Sequence, residues 1–179
     1  LSIRNHGAFK SVFFNPFVLV IDDDPGTLDM ARLIAGRWWR RGNGYVRILM
    51  DTEVTKEVMK NFNLILLGSP SRNLMMKKLL PKTPAQLSDS GIQLDGKIFE
   101  GELSLAMIYP NPLNLKKMVA FLTGNSDKAE RLSLYALPLY SGSGTPHYMI
   151  FGQDVKQYGW GGVRDAGFFN RFGRMETSP

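Results

Sequence analysis

Cysteine is absent from this chain, which removes every thiol nucleophile, every thiolate zinc site and every iron–sulfur cluster. Histidine is nearly as scarce. His6 and His147 are the only two, and most of the chain separates them, so they lack any metal-ligand spacing on a shared helix. No apolar run approaches the roughly 20 residues that cross a bilayer; Phe17 to Ile21 and Leu64 to Leu67 have the length of strands. An initiator methionine is missing, and so is the charged-then-apolar layout of a secretory leader. The expectation is therefore a fragment or processed piece of a soluble protein without a membrane partner. Its compartment stays open between secreted and cytoplasmic, because a cysteine-free chain suits either redox environment.

What is present suffices for one core. A chain of 179 residues can bury roughly 70% of its unfolded surface without staples. The net charge of +6 comes from basic residues scattered over Arg37, Arg40, Arg41, Lys77, Lys78, Lys116, Lys117, Arg171 and Arg174, which reads as a solvated surface. Arg37 to Arg41 (RWWRR) is the densest cluster mixing basic and aromatic residues. Helical periodicity turns at least one of its tryptophans inward, so nucleic acid is not an expected partner.

Along the chain, residues 1–16 form an aromatic N-terminal stretch with Phe9, Phe13 and Phe14, suited to an arm laid on a partner surface or to a packed lead-in. Residues 17–179 read as one α/β domain. Phe17 to Ile21 is apolar on both faces, as in a buried parallel strand. Asp24 then caps a helix with Pro25 in its first turn, and Leu28, Ala31, Ala35 and Trp38 form its inward stripe. Gly42, Asn43 and Gly44 offer left-handed backbone to end it. Tyr45 to Met50 is the next strand, and Asp51 or Thr52 caps a second helix carrying Val54, Val58 and Phe62. Asn63 leads into strand Leu64 to Leu67. Asp95 and Gly96 mark a tight hairpin; Leu103 to Tyr109 and Met118 to Leu122 are further buried strands. Ser126 or Asp127 caps a helix through Leu132, and Tyr148 to Phe151 is the last clear strand before an irregular glycine-rich segment. The sum is a flavodoxin-like or Rossmann-like three-layer α/β domain with a mostly parallel five-stranded sheet and a β-hairpin.

A parallel sheet gathers the carboxyl ends of its strands at one edge, where such folds bind ligands. The residues expected there are Asp22, Asp23 and Asp24, then Gly68 and Ser69, Asn111, and Thr123 to Ser126 with Asn125 among them. Asp22 to Asp24 resemble the magnesium-binding acids that open a response-regulator receiver domain. Gly68 stands where that domain needs its phosphate-accepting aspartate, so the phosphorylation chemistry is absent. Three adjacent carboxylates on a turn are also poorly placed to converge on one octahedral ion. For serine hydrolysis the available set is Ser143, His147 and Asp154, with Ser69 as an alternative nucleophile. Neither Ser69, Ser141 nor Ser143 satisfies the Gly-x-Ser-x-Gly nucleophile elbow, and the glycines around Trp160 fit no dinucleotide or phosphate loop. No catalytic residue, metal or cofactor is expected.

Several strings together resemble a known family. They are His6–Val20 (HGAFKSVFFNPFVLV), Trp38–Gly44 (WWRRGNG), Asp51–Thr55 (DTEVT), Asn63–Gly68 (NLILLG), Tyr109–Asn114 (YPNPLN) and Gly159–Phe169 (GWGGVRDAGFF). Their order and length are similar to the α/β module that follows the catalytic domain in large prolyl-oligopeptidase-like α/β-hydrolase proteins, described as esterases or peptidases. Asp22 to Asp24 depart from the glycine-containing turn of that pattern, and Ala8 replaces its common proline. The family's triad lies outside this module, so the resemblance transfers no catalytic residue. It implies a non-catalytic accessory domain packed on a hydrolase domain or chain of the same parent protein, with Phe9, Phe13, Phe14, Trp160, Phe168 and Phe169 as interface residues. The alternatives are a small-ligand or metal-binding module at the strand ends, and a hydrolase in its own right.

Overall fold

In a computed structural model of the chain, which describes residues 8–42, 44–139 and 144–176, the two-residue periodicity of the apolar runs sorts side chains cleanly onto the two faces of one sheet. Leu19 and Ile21 of β1 (Phe17–Ile21) turn to one core, and Val18 and Val20 to the other. Ile65 and Leu67 oppose Leu64 and Leu66 in β3 (Asn63–Leu67) in the same way. Every residue of β3 and of β8 (Met118–Gly124) is buried, as expected of strands covered on both sides.

The covering layers follow from helix patterning. On one face lie α1 (Pro25–Gly42), α4 (Asp127–Leu132) and a 3-10 helix over Phe9–Phe14. Met30, Ala31 and Ile34 are the buried residues of the α1 stripe, while Leu28, Ala35 and Trp38 flank it half-buried. On the other face lie α2 (Lys56–Asn61), α3 (Leu74–Leu79) and a small antiparallel sheet of β4 (Ala85–Ser88), β5 (Gly91–Leu94) and β6 (Lys97–Glu100). Asp95 and Gly96 join β5 to β6 with φ of 49° and 88°. Positive φ at both central residues is the tight hairpin turn that the Asp-Gly pair predicts.

The main sheet has seven strands in the order β10-β9-β7-β8-β3-β1-β2, where β2 is Arg47–Met50, β7 is Ser104–Pro110, β9 is Tyr148–Phe151 and β10 is Val163–Gly167. β2, β1, β3 and β8 pair in parallel; β7 runs against both β8 and β9, and β10 runs against β9. Five strands, β9 included, thus point one way. β10 and β4 go beyond the sequence expectation, because both are short and lack an apolar run. The half-buried, polar pattern of β10 marks it as an edge strand.

Three local expectations need correction. The stretch before β1 is no free arm from residue 8 onward. Phe9 and Val12 are fully buried, and the Asn63 amide donates to the Val12 carbonyl at 2.9 Å while its oxygen accepts the Met118 N–H at 2.9 Å. Neither Asp51 nor Thr52 caps α2. Thr55 does, its hydroxyl accepting the Val58 N–H at 3.2 Å, while Asp51 reaches across to accept the Leu74 N–H at the start of α3 at 2.6 Å. Gly42 does not use left-handed backbone; the open faces of Gly42 and Gly44 admit the Trp38 indole, which a Cβ at Gly44 would meet at 2.7 Å. Asn43 lies outside the described residues.

The buried Phe9 and exposed Phe14 provide a direct contrast. Phe9→Ala should cost about 3–5 kcal/mol of unfolding free energy, whereas Phe14→Ala, at a side chain 75% exposed, should stay within about 0.5 kcal/mol. Urea denaturation of the two variants checks this, and equal small losses would contradict the packed placement of residues 8–16.

Candidate functional site

Strand order reverses between β1 and β3: the chain leaves β1 for β2 on one side and returns for β3 on the other. In doubly wound sheets that reversal opens a crevice beyond the carboxyl ends of the two strands. Asp22, at the exit of β1, is 1% exposed; its Oδ1 accepts the Asp24 N–H at 3.2 Å. Asp24 in turn accepts the Thr27 N–H at 3.0 Å and so caps α1. Asp23 is exposed. The three aspartates therefore diverge into separate tasks, and no group of three or more metal-ligating side chains converges among the described residues.

Gly68 follows β3 at φ +102°. A Cβ there would stand 2.5 Å from Asp22 Oδ2, so this turn excludes any side chain, including the aspartate that a receiver domain would require. Ser69 and Ser71 bring their hydroxyls to 2.6 Å. Asn73, fully buried, places its amide between the strands, donating to the Leu67 carbonyl at 3.0 Å and the Val20 carbonyl at 3.4 Å. Its oxygen caps α3 by accepting the Met76 N–H at 3.0 Å.

Arg72 occupies the mouth of the crevice. Its Nε donates to Asp22 Oδ2 at 3.2 Å, its Nη2 to Glu130 Oε2 at 2.7 Å, and its Nη1 to Asp127 Oδ1 at 3.4 Å. Ser126 positions both acids, since its hydroxyl accepts the Ala129 N–H at 3.1 Å and starts α4. Asn125, an expected ligand residue, is engaged in structure instead. Its oxygen accepts the Leu103 N–H at 2.8 Å and its amide donates to the Gly101 carbonyl at 2.8 Å. The remaining hollow is about 240 Å³, lined by Ser69, Ser71, Arg72, Asn125, Ser126 and Glu130 among others.

The electrostatics of this crevice are self-contained. Burial opposes the Arg72 charge, but Glu130, Asp22, Asp24 and Asp127 outweigh it and raise its pKa above the usual value. Burial, with Asp127 and Asp22 nearby, pushes the Glu130 carboxyl up to about 7 against the pull of Arg72. The Arg72 guanidinium is already shared among Asp22, Asp127 and Glu130, so an incoming phosphate or carboxylate finds no free positive charge here.

The other candidates scatter. Asn111 lies at the opposite edge, because β7 runs against β8 and delivers its carboxyl end to the far side. His147 is 5% exposed just before β9, and Asp154 follows the far end of that strand, so the length of β9 separates them. The His147 Nδ1 accepts the Phe169 N–H at 2.8 Å, with Phe168 edge-on and Phe169 stacked on the ring. Asp154 pairs with Arg164 at 2.8 Å. Ser69 follows β3, which runs with β9, so it too sits at the edge away from His147. Ser143 lies outside the described residues. Of the expected interface residues, Phe9 and Phe169 are core, Phe13 stacks on Trp38 with ring centres 5.3 Å apart, and Phe14, Trp160 and Phe168 are exposed.

Sequence reasoning missed Arg72, Asn73 and Glu130. The spacing of Asn73 three residues before Met76 is a cap signal, and Arg72 directly after a Gly-Ser-Pro-Ser turn marks the strand end. Glu130 lies within an ordinary short helix and gives no such sign. The strand order, the reversal at β1 and β3 and the helices on both faces define a doubly wound α/β domain of flavodoxin-like type. No protein-family model matches the chain, and no curated protein matches it significantly.

Two measurements test this description. Gly68→Ala should destabilise by about 1–3 kcal/mol, read as a lower urea midpoint; an unchanged midpoint would refute the close approach to Asp22. Because the folded Glu130 holds its proton to about pH 7 and an ordinary glutamate releases it near 4.5, the folded state binds more protons in between. Stability should therefore fall as pH rises from about 5 to about 8, by on the order of 1–3 kcal/mol. Glu130→Gln should flatten that slope, and an equal slope in the variant would place its origin elsewhere.

Proposed function

We propose that this chain is a non-catalytic accessory domain of a larger α/β-hydrolase protein, an esterase or a prolyl-oligopeptidase-like peptidase, and that it packs on the catalytic domain or chain of that parent. The observation that carries the reading is the exposed aromatic surface beside α4. Tyr135 and Trp160 are 65% and 64% exposed, and both line two open hollows. Exposed aromatics that share a hollow are costly to hydrate and suit a protein interface. The burial of His147 against Phe169, away from Ser69 and Asp154, adds support, as does the occupation of Arg72 by the domain's own carboxylates.

The experiment uses the whole parent polypeptide together with the two parts expressed as separate chains. A serine-reactive phosphonate should label the hydrolase part and leave this chain unmodified, and the two parts should co-elute in size-exclusion chromatography. An adduct on this chain, or a parent polypeptide that encodes no hydrolase domain, would overturn the proposal.

A further inference from the structure

Basic residues that lie scattered along the sequence are gathered by the topology. β1, β2, β3 and β8 run in parallel and β7 runs against β8, so the entries to those four strands and the exit of β7 share one edge of the sheet. The last turn of α1 reaches the same edge, because it hands the chain to β2. Side-chain contacts join these segments. Trp38 meets Phe17 edge-on with ring centres 4.9 Å apart, and the Arg47 guanidinium stands 5.8 Å from the centre of the Phe62 ring. Asn114 and Lys117, between β7 and β8, donate to the carbonyls of Met59 and Asn61 at 2.9 Å and 2.8 Å.

Residues 14–16, 38–47, 59–62 and 111–117 make up this edge, and they contain Arg40, Arg41, Arg47, Lys60, Lys116 and Lys117 but no aspartate or glutamate. The nearest acid along the chain is Glu57, one turn back in α2, where it accepts the Asn61 amide. Acids gather at the opposite edge instead, as Asp22 to Asp24 after β1, Asp51 and Glu53 after β2, and Asp127 and Glu130 in α4. The basic segments also expose Phe14, Trp39, Tyr45, Leu113 and Leu115.

We infer that this edge docks reversibly on the surface of an anionic lipid bilayer, with its basic side chains among the headgroups and its exposed rings and leucines at the acyl boundary. Charge complementarity selects that occupant. A negatively charged leaflet attracts each nearby lysine and arginine, while the acidic edge is repelled and orients the domain. Tryptophan and tyrosine favour the headgroup level, and apolar side chains buried there add to the electrostatic attraction. Leu113 and Leu115 distinguish this surface from a nucleic-acid platform, since an aliphatic side chain offers no ring on which a base can stack. Contact of this kind needs no spanning helix, and no described helix is long and apolar enough to cross a membrane. None of the residues that carry the accessory-domain reading takes part.

The probes are vesicles of pure phosphatidylcholine and vesicles in which phosphatidylserine replaces part of it, each sedimented with the full chain. The chain should bind the phosphatidylserine vesicles at least about tenfold more tightly, and that binding should weaken about tenfold as salt rises from about 50 mM to about 500 mM. The paired change Arg40→Glu with Lys116→Glu should weaken it at least about tenfold, and Leu113→Ser with Leu115→Ser about tenfold. Tyr158→Ala, at an exposed ring beyond the carboxyl end of β9, should leave it unchanged. Absent binding, or equal binding of the unmodified chain to both kinds of vesicle, overturns the inference whatever the variants do. Binding that ignores the charge reversal or the leucine pair overturns it as well. Release from the vesicles by single-stranded oligothymidylate, at a lower nucleotide than lipid concentration, would make the edge a nucleic-acid site and also overturn it.

Discussion

The Arg72 guanidinium holds together the part of the molecule on which its architecture turns. Asp22 and Glu130 are 1% and 4% exposed, and a carboxylate removed from water is costly unless paired. Arg72 meets both, with Asp127 as a third acceptor. These acids come from the end of β1 and from a helix on one face, while Arg72 precedes α3 on the other face. A single side chain thus ties the two helical layers across the edge of the sheet.

That tie also decides what the strand-end crevice can do. In doubly wound folds the strand-order reversal is a ready ligand site because backbone groups and helix starts converge there with space between them. Here Asn73 uses the space between β1 and β3, Gly68 draws its turn against Asp22, and Arg72 spends its donors on internal acids. The polar groups of the site are already engaged by the chain itself. The cleft between α1 and α4 differs in character, with the exposed rings of Tyr135 and Trp160 in its lining. One domain therefore carries an internally satisfied polar edge and an aromatic lateral cleft.

The same division explains the fate of His147. A buried imidazole whose Nδ1 already accepts the Phe169 N–H, with aromatic rings around it, has its orientation set by packing. General-base work needs a ring nitrogen aimed at a nucleophile in an accessible pocket. The rings around His147 instead help seat the C-terminal segment against β9, where Tyr148 and Phe169 also meet.

The linear chain determined what depends on local periodicity and local backbone chemistry. Apolar runs such as Val18 to Ile21 and Leu64 to Leu67 are legible as two-faced strands, Asp24 and Ser126 as caps, and Asp95 with Gly96 as a turn, because each signal lies within a few residues. Only tertiary structure decided the direction of β7, which carried Asn111 to the far edge, and the burial of Phe9 and Phe169, which an aromatic-rich stretch leaves open. Arg72 needs partners 50 and 58 residues away, and the α1–α4 groove joins segments from four regions of the chain. Non-local pairing of this kind leaves no spacing in the sequence to read; it follows from which strand lies beside which, and that is settled by the packing of the whole sheet.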